Sequence, residues 1–182
     1  MLKPNYTAVE YERRFLVTAA PQLHGPAIQI TDRHLTGTRV YLRKAIHTDG
    51  NTALRLCKQY AAGASGCAAI AVEELTPHDF VLYEHMEANV ITKRRWHVET
   101  GGAAVAIDVF SGPLQGLVLC EVAAAVEAEI AAFEAPGPLV ARTTPALPVS
   151  LPHASAIKAA PPSWRQVITL ILVSCKASRI SR

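Results

Sequence analysis

Two carboxylates and a guanidinium occupy alternate positions in Val9-Glu10-Tyr11-Glu12-Arg13-Arg14-Phe15-Leu16-Val17. Alternate side chains of a β-strand share a face, so Glu10, Glu12 and Arg14 would charge one side of a strand whose Tyr11, Phe15, Leu16 and Val17 suit a pleated surface. Such a face makes a poor hydrophobic core and a good place to hold a metal ion against an anion. The same alternation gathers further charges on other strand-like runs: Arg39 with Arg43, Arg55, Lys93 with Arg95, Asp108, and Glu121. Inside a closed barrel, where interior and exterior residues alternate, these charges would each cost several kcal/mol if unpaired. A wet, ligand-binding lumen removes the conflict. An anionic ligand with a hard divalent cation satisfies both signs, because hard cations take carboxylate oxygens and guanidinium groups grip anionic oxygens two at a time. For any single pair the competing reading is an ordinary cross-strand salt bridge, Glu10 with Arg14 or Glu12 with Lys93. Charge repeated with period 2 on at least four strands is harder to place on a solvated sheet.

The elements that must position these residues read as successive hairpins. Residues 21–26 form a loop and 28–32 begin an alternating run. Gly37 marks a turn, after which Arg39, Tyr41 and Arg43 alternate with Val40 and Leu42. Asp49-Gly50-Asn51 is a hairpin signal, so residues 52–60 return antiparallel with Arg55, Cys57 and Gln59 on one side. A small-residue loop at 61–68 precedes a short strand at 70–75, in which the inward member of Glu73 and Glu74 stays open. Thr76, Pro77 and Asp79 open a helix expected to turn Phe80, Leu82 or Tyr83, and Met86 inward and to end near Asn89. Strands follow at 90–99, 103–110 and 117–123, and an alanine-rich helix at 124–133. Residues 136–163 hold seven prolines without hydrophobic periodicity and read as extended or disordered chain, while 164–173 could be helix or strand. The fold class is α+β: an antiparallel, closed or nearly closed β-barrel tunnel of about seven to eight strands with peripheral helices. Residues 1–137 form the tunnel domain and 138–182 a Pro-rich, poorly ordered tail.

The first segment resembles the ExExK signature of the CYTH, or triphosphate tunnel metalloenzyme, superfamily, with Arg14 in the lysine's place. Ile30-Thr31-Asp32-Arg33-His34-Leu35-Thr36-Gly37-Thr38-Arg39, Ile91-Thr92-Lys93-Arg94-Arg95-Trp96 and Ile107-Asp108-Val109-Phe110-Ser111-Gly112-Pro113-Leu114 with Gln115 to Val122 are similar to later blocks of its bacterial branch, in the same order. The resemblance runs from about residue 9 to 137. It implies an eight-stranded tunnel, Mg²⁺ or Mn²⁺ on Glu10, Glu12 and Glu121, and a phosphate cradle of Arg14, Arg39, Arg43, Arg55, Lys93 and Arg95, with Asp108 supporting a neighbouring base or a metal-bound water. The implied activity is metal-dependent hydrolysis of an inorganic or organic triphosphate, a triphosphatase-type reaction. An adenylate cyclase and a catalytically weak triphosphate- or nucleotide-binding module are the alternatives.

Departures from the family bear on activity. Ala123 follows Glu121-Val122 where the family has a second glutamate, Tyr41 stands for arginine and Gln59 for lysine, and the acidic stretch expected after Pro136 is absent. Activity is therefore expected to be low or nil, and the C-terminal third to reflect a shifted reading frame or decay. Net charge of +3 over 182 residues is too mild to imply nucleic acid. The four cysteines form no CxxC pair, which fits neither a zinc ribbon nor a disulfide framework but suits a reduced cytosol. The seven histidines form no ligand spacing and read as surface groups, His97 alone lying in phase with Lys93 and Arg95. No apolar run approaches the roughly 20 residues needed to span a bilayer, so a soluble, cytoplasmic protein is expected, with a small-molecule triphosphate or nucleotide as partner and neither nucleic acid nor membrane.

Overall fold

A computed structural model of the chain describes residues 8–17, 22–61, 67–100, 103–131 and 133. Eight antiparallel strands close into a barrel: β1 (Ala8–Leu16), β2 (Ile28–Leu35), β3 (Val40–Ile46), β4 (Thr52–Gln59), β5 (Ala68–Glu74), β6 (Ala88–Thr100), β7 (Ala103–Ser111) and β8 (Val118–Ala124). Around the barrel they run β1-β5-β4-β3-β2-β6-β7-β8, and β8 pairs back onto β1. The barrel is the α+β tunnel the sequence leads one to expect. The expected tail at 138–182, most of the small-residue loop and the turn at 101–102 lie outside the described residues.

Period-2 alternation decides which side chains meet. On β1, Glu12 and Arg14 point into the barrel while Arg13, Phe15 and Val17 point out. The outward apolar residues of β1, β7 and β8, among them Phe15, Val17, Val105, Ile107, Cys120 and Val122, form one buried cluster with Ile130 of helix α2 (Glu127–Ala131). Arg13 ties that helix down: its guanidinium donates to the carbonyls of Ile130 at 2.9 Å, Ala131 at 2.8 Å and Phe133 at 3.0 Å. The orphan carbonyls of a helix end are thereby satisfied by a buried cation, which also suits the negative pole of the helix. The alanine-rich run is helical over a shorter span than expected, because Ala124 still belongs to β8.

The helix at Thr76 forms as expected at its start and stops early at its end. Thr76 Oγ1 accepts from the Asp79 amide at 3.2 Å and the Asp79 carboxylate accepts from the Thr76 amide at 3.3 Å, a reciprocal cap. Helix α1 runs Pro77–Glu84, not to Asn89. Arg33 of β2 donates to the carbonyls of Glu84 and Met86 at the point where it ends. Only Phe80 is buried beneath it against β3 and β4; of Leu82 or Tyr83, expected to turn inward, Leu82 is exposed and Tyr83 half-buried, and Met86 is exposed. Two tight turns set the β2–β3 and β3–β4 hairpins, at Gly37 (φ 76°) and Gly50 (φ 87°), where a side chain would be strained. Among the described residues no helix is long and apolar enough to cross a membrane.

Candidate functional site

The barrel interior is an ion-pair lattice. Arg14 donates from Nε to Glu121 Oε2 at 2.8 Å and from Nη2 to Glu12 Oε2 at 2.5 Å. Arg95 reaches Glu121 Oε1 at 2.7 Å and both oxygens of Asp108 at 2.7 and 2.8 Å. Lys93 Nζ donates to Asp108 Oδ2 at 2.6 Å and stands 3.8 Å from Asp32. Arg43 closes the lattice with a two-pronged contact to Asp32, 2.8 Å on each oxygen. Four cations therefore meet four carboxylates, drawn from β1, β2, β3, β6, β7 and β8. The cross-strand register brings them together: Arg14 lies opposite Glu121, Arg43 opposite Asp32, and Arg95 opposite Asp108. Arg14, Asp32, Arg43, Lys93 and Asp108 line a cavity of about 20 Å³, room for roughly one water molecule. The charges expected to need a wet channel are thus satisfied chiefly by one another.

The two carboxylates on Arg14 are electrostatically unequal. Burial works to raise the Glu121 carboxyl, yet Arg95 and Arg14 hold it well below the usual carboxylate range. Burial first, and then the neighbouring negative charge of Glu121, push Glu12 above its ordinary value. Asp108, buried but held by Arg95 and Lys93, falls to about 2, and Asp32 is lowered by Arg43 against its burial. Lys93 is lowered by burial despite Asp108. Removing one member of such a lattice leaves an uncompensated buried charge, which costs far more than the net worth of the pair.

Of the ten charged residues anticipated from the sequence, Glu12, Arg14, Arg43, Lys93, Arg95, Asp108 and Glu121 meet in this interior, and three do not. Glu10 is exposed near the start of β1. Arg39 is exposed as well, because the Gly37 turn occupies residues 36–39, where Thr38 accepts from the Val40 amide, and β3 starts only at Val40. Glu10 pairs with Ile70, Ile70 with Gln59, and the Gln59 amide donates to the Arg39 carbonyl at 3.0 Å, so Glu10 and Arg39 lie on one cross-strand row, both exposed. Arg55 pairs with Glu74 at 2.7 Å in largely exposed surroundings, which also fixes Glu74 as the residue on its side.

Four interior polar residues went unassigned in the sequence reading. Asp32 and His34 continue the inward alternation of Ile30 on β2, a signal that was present in the chain. His34 is buried and not a surface group; its ring stacks on Tyr41 with centroids 4.9 Å apart and planes 25° apart. Tyr41 and Gln59 are buried as well and line the same cavity. Burial holds His34 down at about 4 in spite of nearby Asp32, and pushes the Tyr41 hydroxyl well above its ordinary value.

Among the described residues no three carboxylate, imidazole or thiol groups cluster closely enough to form a metal cage. Glu12 and Glu121 nonetheless form a carboxylate pair in which one charge raises the other, the imbalance a dication relieves. Two carboxylates also fit the way Mg²⁺ is commonly held, with water and substrate phosphates completing its shell. Ala123, where the resemblance expects a further glutamate, lies directly opposite Glu12 in the β1–β8 register and is exposed.

No protein-family model and no curated protein sequence matches the chain. Solved structures similar to it include two of the same protein. One, of the inorganic triphosphatase NE1496, is 23% identical and covers 72% of this chain and 84% of its own, with a TM-score of 0.45. The other, of the hypothetical protein NE1496, is 24% identical and covers 72% and 86%, with a TM-score of 0.44.

Proposed function

We propose that the barrel binds a triphosphate in its lumen together with Mg²⁺ or Mn²⁺ and hydrolyses a phosphoanhydride bond at a reduced rate. The observation that supports this reading most is the convergence of Arg14, Arg43, Lys93 and Arg95, from three different strands, on carboxylates in the barrel interior, where phosphate oxygens could take their place. A guanidinium that now grips both oxygens of Asp32 or Asp108 offers the same two-pronged contact to a phosphate. Ligand entry is then an exchange of internal for external anions, and the donors are already aimed. Positioning and charge neutralisation supply most of what phosphoryl transfer requires.

When bound, the divalent cation would be held by Glu12 and Glu121 with Glu10 from the mouth, and it would supply charge neutralisation at the phosphate oxygens. Asp108 keeps Lys93 and Arg95 in position. Exposed Arg39 adds positive charge near the barrel rim, whereas Arg55 is neutralised by Glu74. Ala123 leaves the carboxylate set one short beside Glu12, which weakens metal binding, and it favours binding without turnover as the second reading.

The test is to incubate the purified chain with tripolyphosphate and Mg²⁺ or Mn²⁺ and to follow released phosphate and binding heat together. Turnover that vanishes in Glu12→Gln and Glu121→Gln is the expected result. Heat without turnover selects the binding module. Neither heat nor phosphate overturns the reading.

A further inference from the structure

The four interior carboxylates are not equally committed. Glu121 is held on both oxygens, by Arg14 and Arg95, and Asp108 is held by Arg95 and Lys93. Glu12 stands on the side where a divalent cation would sit. Asp32 has one close cationic partner, the Arg43 guanidinium opposite it in the β2–β3 register, which spends both Nε and Nη2 on its two oxygens. Lys93 Nζ lies 3.8 Å from the same carboxylate, too far for a hydrogen bond. Arg43 has a second support: its guanidinium carbon stands 5.3 Å from the centre of the Tyr41 ring. Such a contact orients a cation through the face of the ring, so Arg43 keeps its place when its carboxylate partner is exchanged.

Resting on the triphosphate reading above, we infer that Asp32 is a positioning residue acting through Arg43: a resident counter-anion that aims this guanidinium, competes with the incoming ligand for it, and so sets how tightly the lumen binds an anion. The cavity that Asp32 and Arg43 line, about 20 Å³, is far too small for a triphosphate, so a ligand enters by displacing carboxylates. The two N–H groups of Arg43 that would grip a phosphate are the ones that now grip Asp32. Once released, Asp32 is not stranded. Rotation toward Lys93 closes the 3.8 Å gap, and Asp108, the present partner of Lys93, keeps the two-pronged contact from Arg95. The exchange thereby avoids a buried charge without a partner.

Asp32→Asn removes the charge and keeps the size. Calorimetric titration with tripolyphosphate in Mg²⁺ is expected to show this variant binding at least about tenfold more tightly than the wild type, the low end of the coupling between close charge pairs. A double-mutant cycle separates the role from bulk charge: in an Arg43→Gln background the gain from Asp32→Asn should vanish. A gain that persists in that background, or an Asp32→Asn variant that binds no more tightly than the wild type, overturns the inference. Either result leaves the triphosphate reading in place, since that reading rests on binding by the wild type. The wild-type chain gives a second readout should the variant fail to fold. Its Asp32 carboxyl carbon resonance should move together with the Arg43 Nε–H signal as tripolyphosphate is added, and a carboxyl signal that stays fixed through saturation overturns the inference too. Binding by neither the wild type nor Asp32→Asn overturns both.

Discussion

The two buried regions of this barrel are built on opposite principles. Outside the sheet, between β1, β7, β8 and α2, Phe15, Val17, Ile107, Cys120 and Ile130 pack as a conventional apolar core. Inside, Glu12, Arg14, Asp32, Arg43, Lys93, Asp108 and Glu121 are buried to a similar degree and, with half-buried Arg95, hold one another by ion pairs. One strand serves both: β1 sends Arg14 in and Phe15 out. The apolar cluster gains stability from burial without needing orientation, whereas the lattice is satisfied only while every partner is present. Hydrophobic packing therefore supplies the fold, and the interior is left free to be organised for an anion.

Substitutions on the two sides should separate that division of labour. Asp108→Ala strands Lys93 and Arg95 and should cost about 3–5 kcal/mol of stability. Tripolyphosphate, by supplying anionic partners, should restore part of the lost melting temperature. Ile107→Ala, fully buried in the outer cluster, should cost about 2–5 kcal/mol, and tripolyphosphate should stabilise it no more than it does the wild type. If ligand rescues both variants alike, the distinction between the regions is wrong.

Acid should strike the interior first. His34 has a folded value of about 4 against 6.5 unfolded, so the unfolded chain binds the proton more readily and stability is lost as pH falls from 6.5 toward 4. Asp108, at about 2 against 3.8, adds a second loss over that lower window. Glu12 has the opposite sign: its raised carboxyl contributes stability below its unfolded value that is lost as pH rises through its folded value. Urea titrations from pH 7 to pH 3 should show declining stability, and His34→Gln should flatten the upper part of the decline.

A smaller effect distinguishes the two carboxylates on Arg14. Glu12→Gln removes the group that Glu121 already disfavours in its charged form and should change stability by less than about 1 kcal/mol, while Glu121→Gln, which leaves Arg14 and Arg95 short of a partner, should cost more. Thermal melts of the two variants at pH 7 decide the order. Smallest of all in the resting protein is Ala123→Glu at the mouth. It should lower the Mg²⁺ concentration needed for half-maximal phosphate release, and an unchanged requirement in a folded variant would count against Glu12 as a metal-side residue.

Alternation made the barrel and most of its interior legible from the chain. Glu12 and Arg14, Lys93 and Arg95 keep strict phase, and phase survives folding. What escaped was set by turns and closure. Arg39 is in phase with Arg43 but sits in the Gly37 turn, and Arg55 is in phase but close enough to the surface to pair with Glu74. Asp32 and His34 carried the same periodic signal as their neighbours; giving Asp32 no role within its alternating run and reading His34 as a surface imidazole left that signal unused. The small size of the cavity was not readable at all, since it depends on how four cations and four carboxylates settle across six strands.

The most direct measurement is to follow the Nε–H resonances of Arg14, Arg43 and Arg95 by NMR while tripolyphosphate is added in Mg²⁺. Exchange of internal carboxylates for phosphate oxygens requires these three signals to move together and saturate at one ligand per barrel, with Arg55 unaffected. Interior signals that stay fixed while Arg55 moves would place the anion on the outer surface and contradict the account.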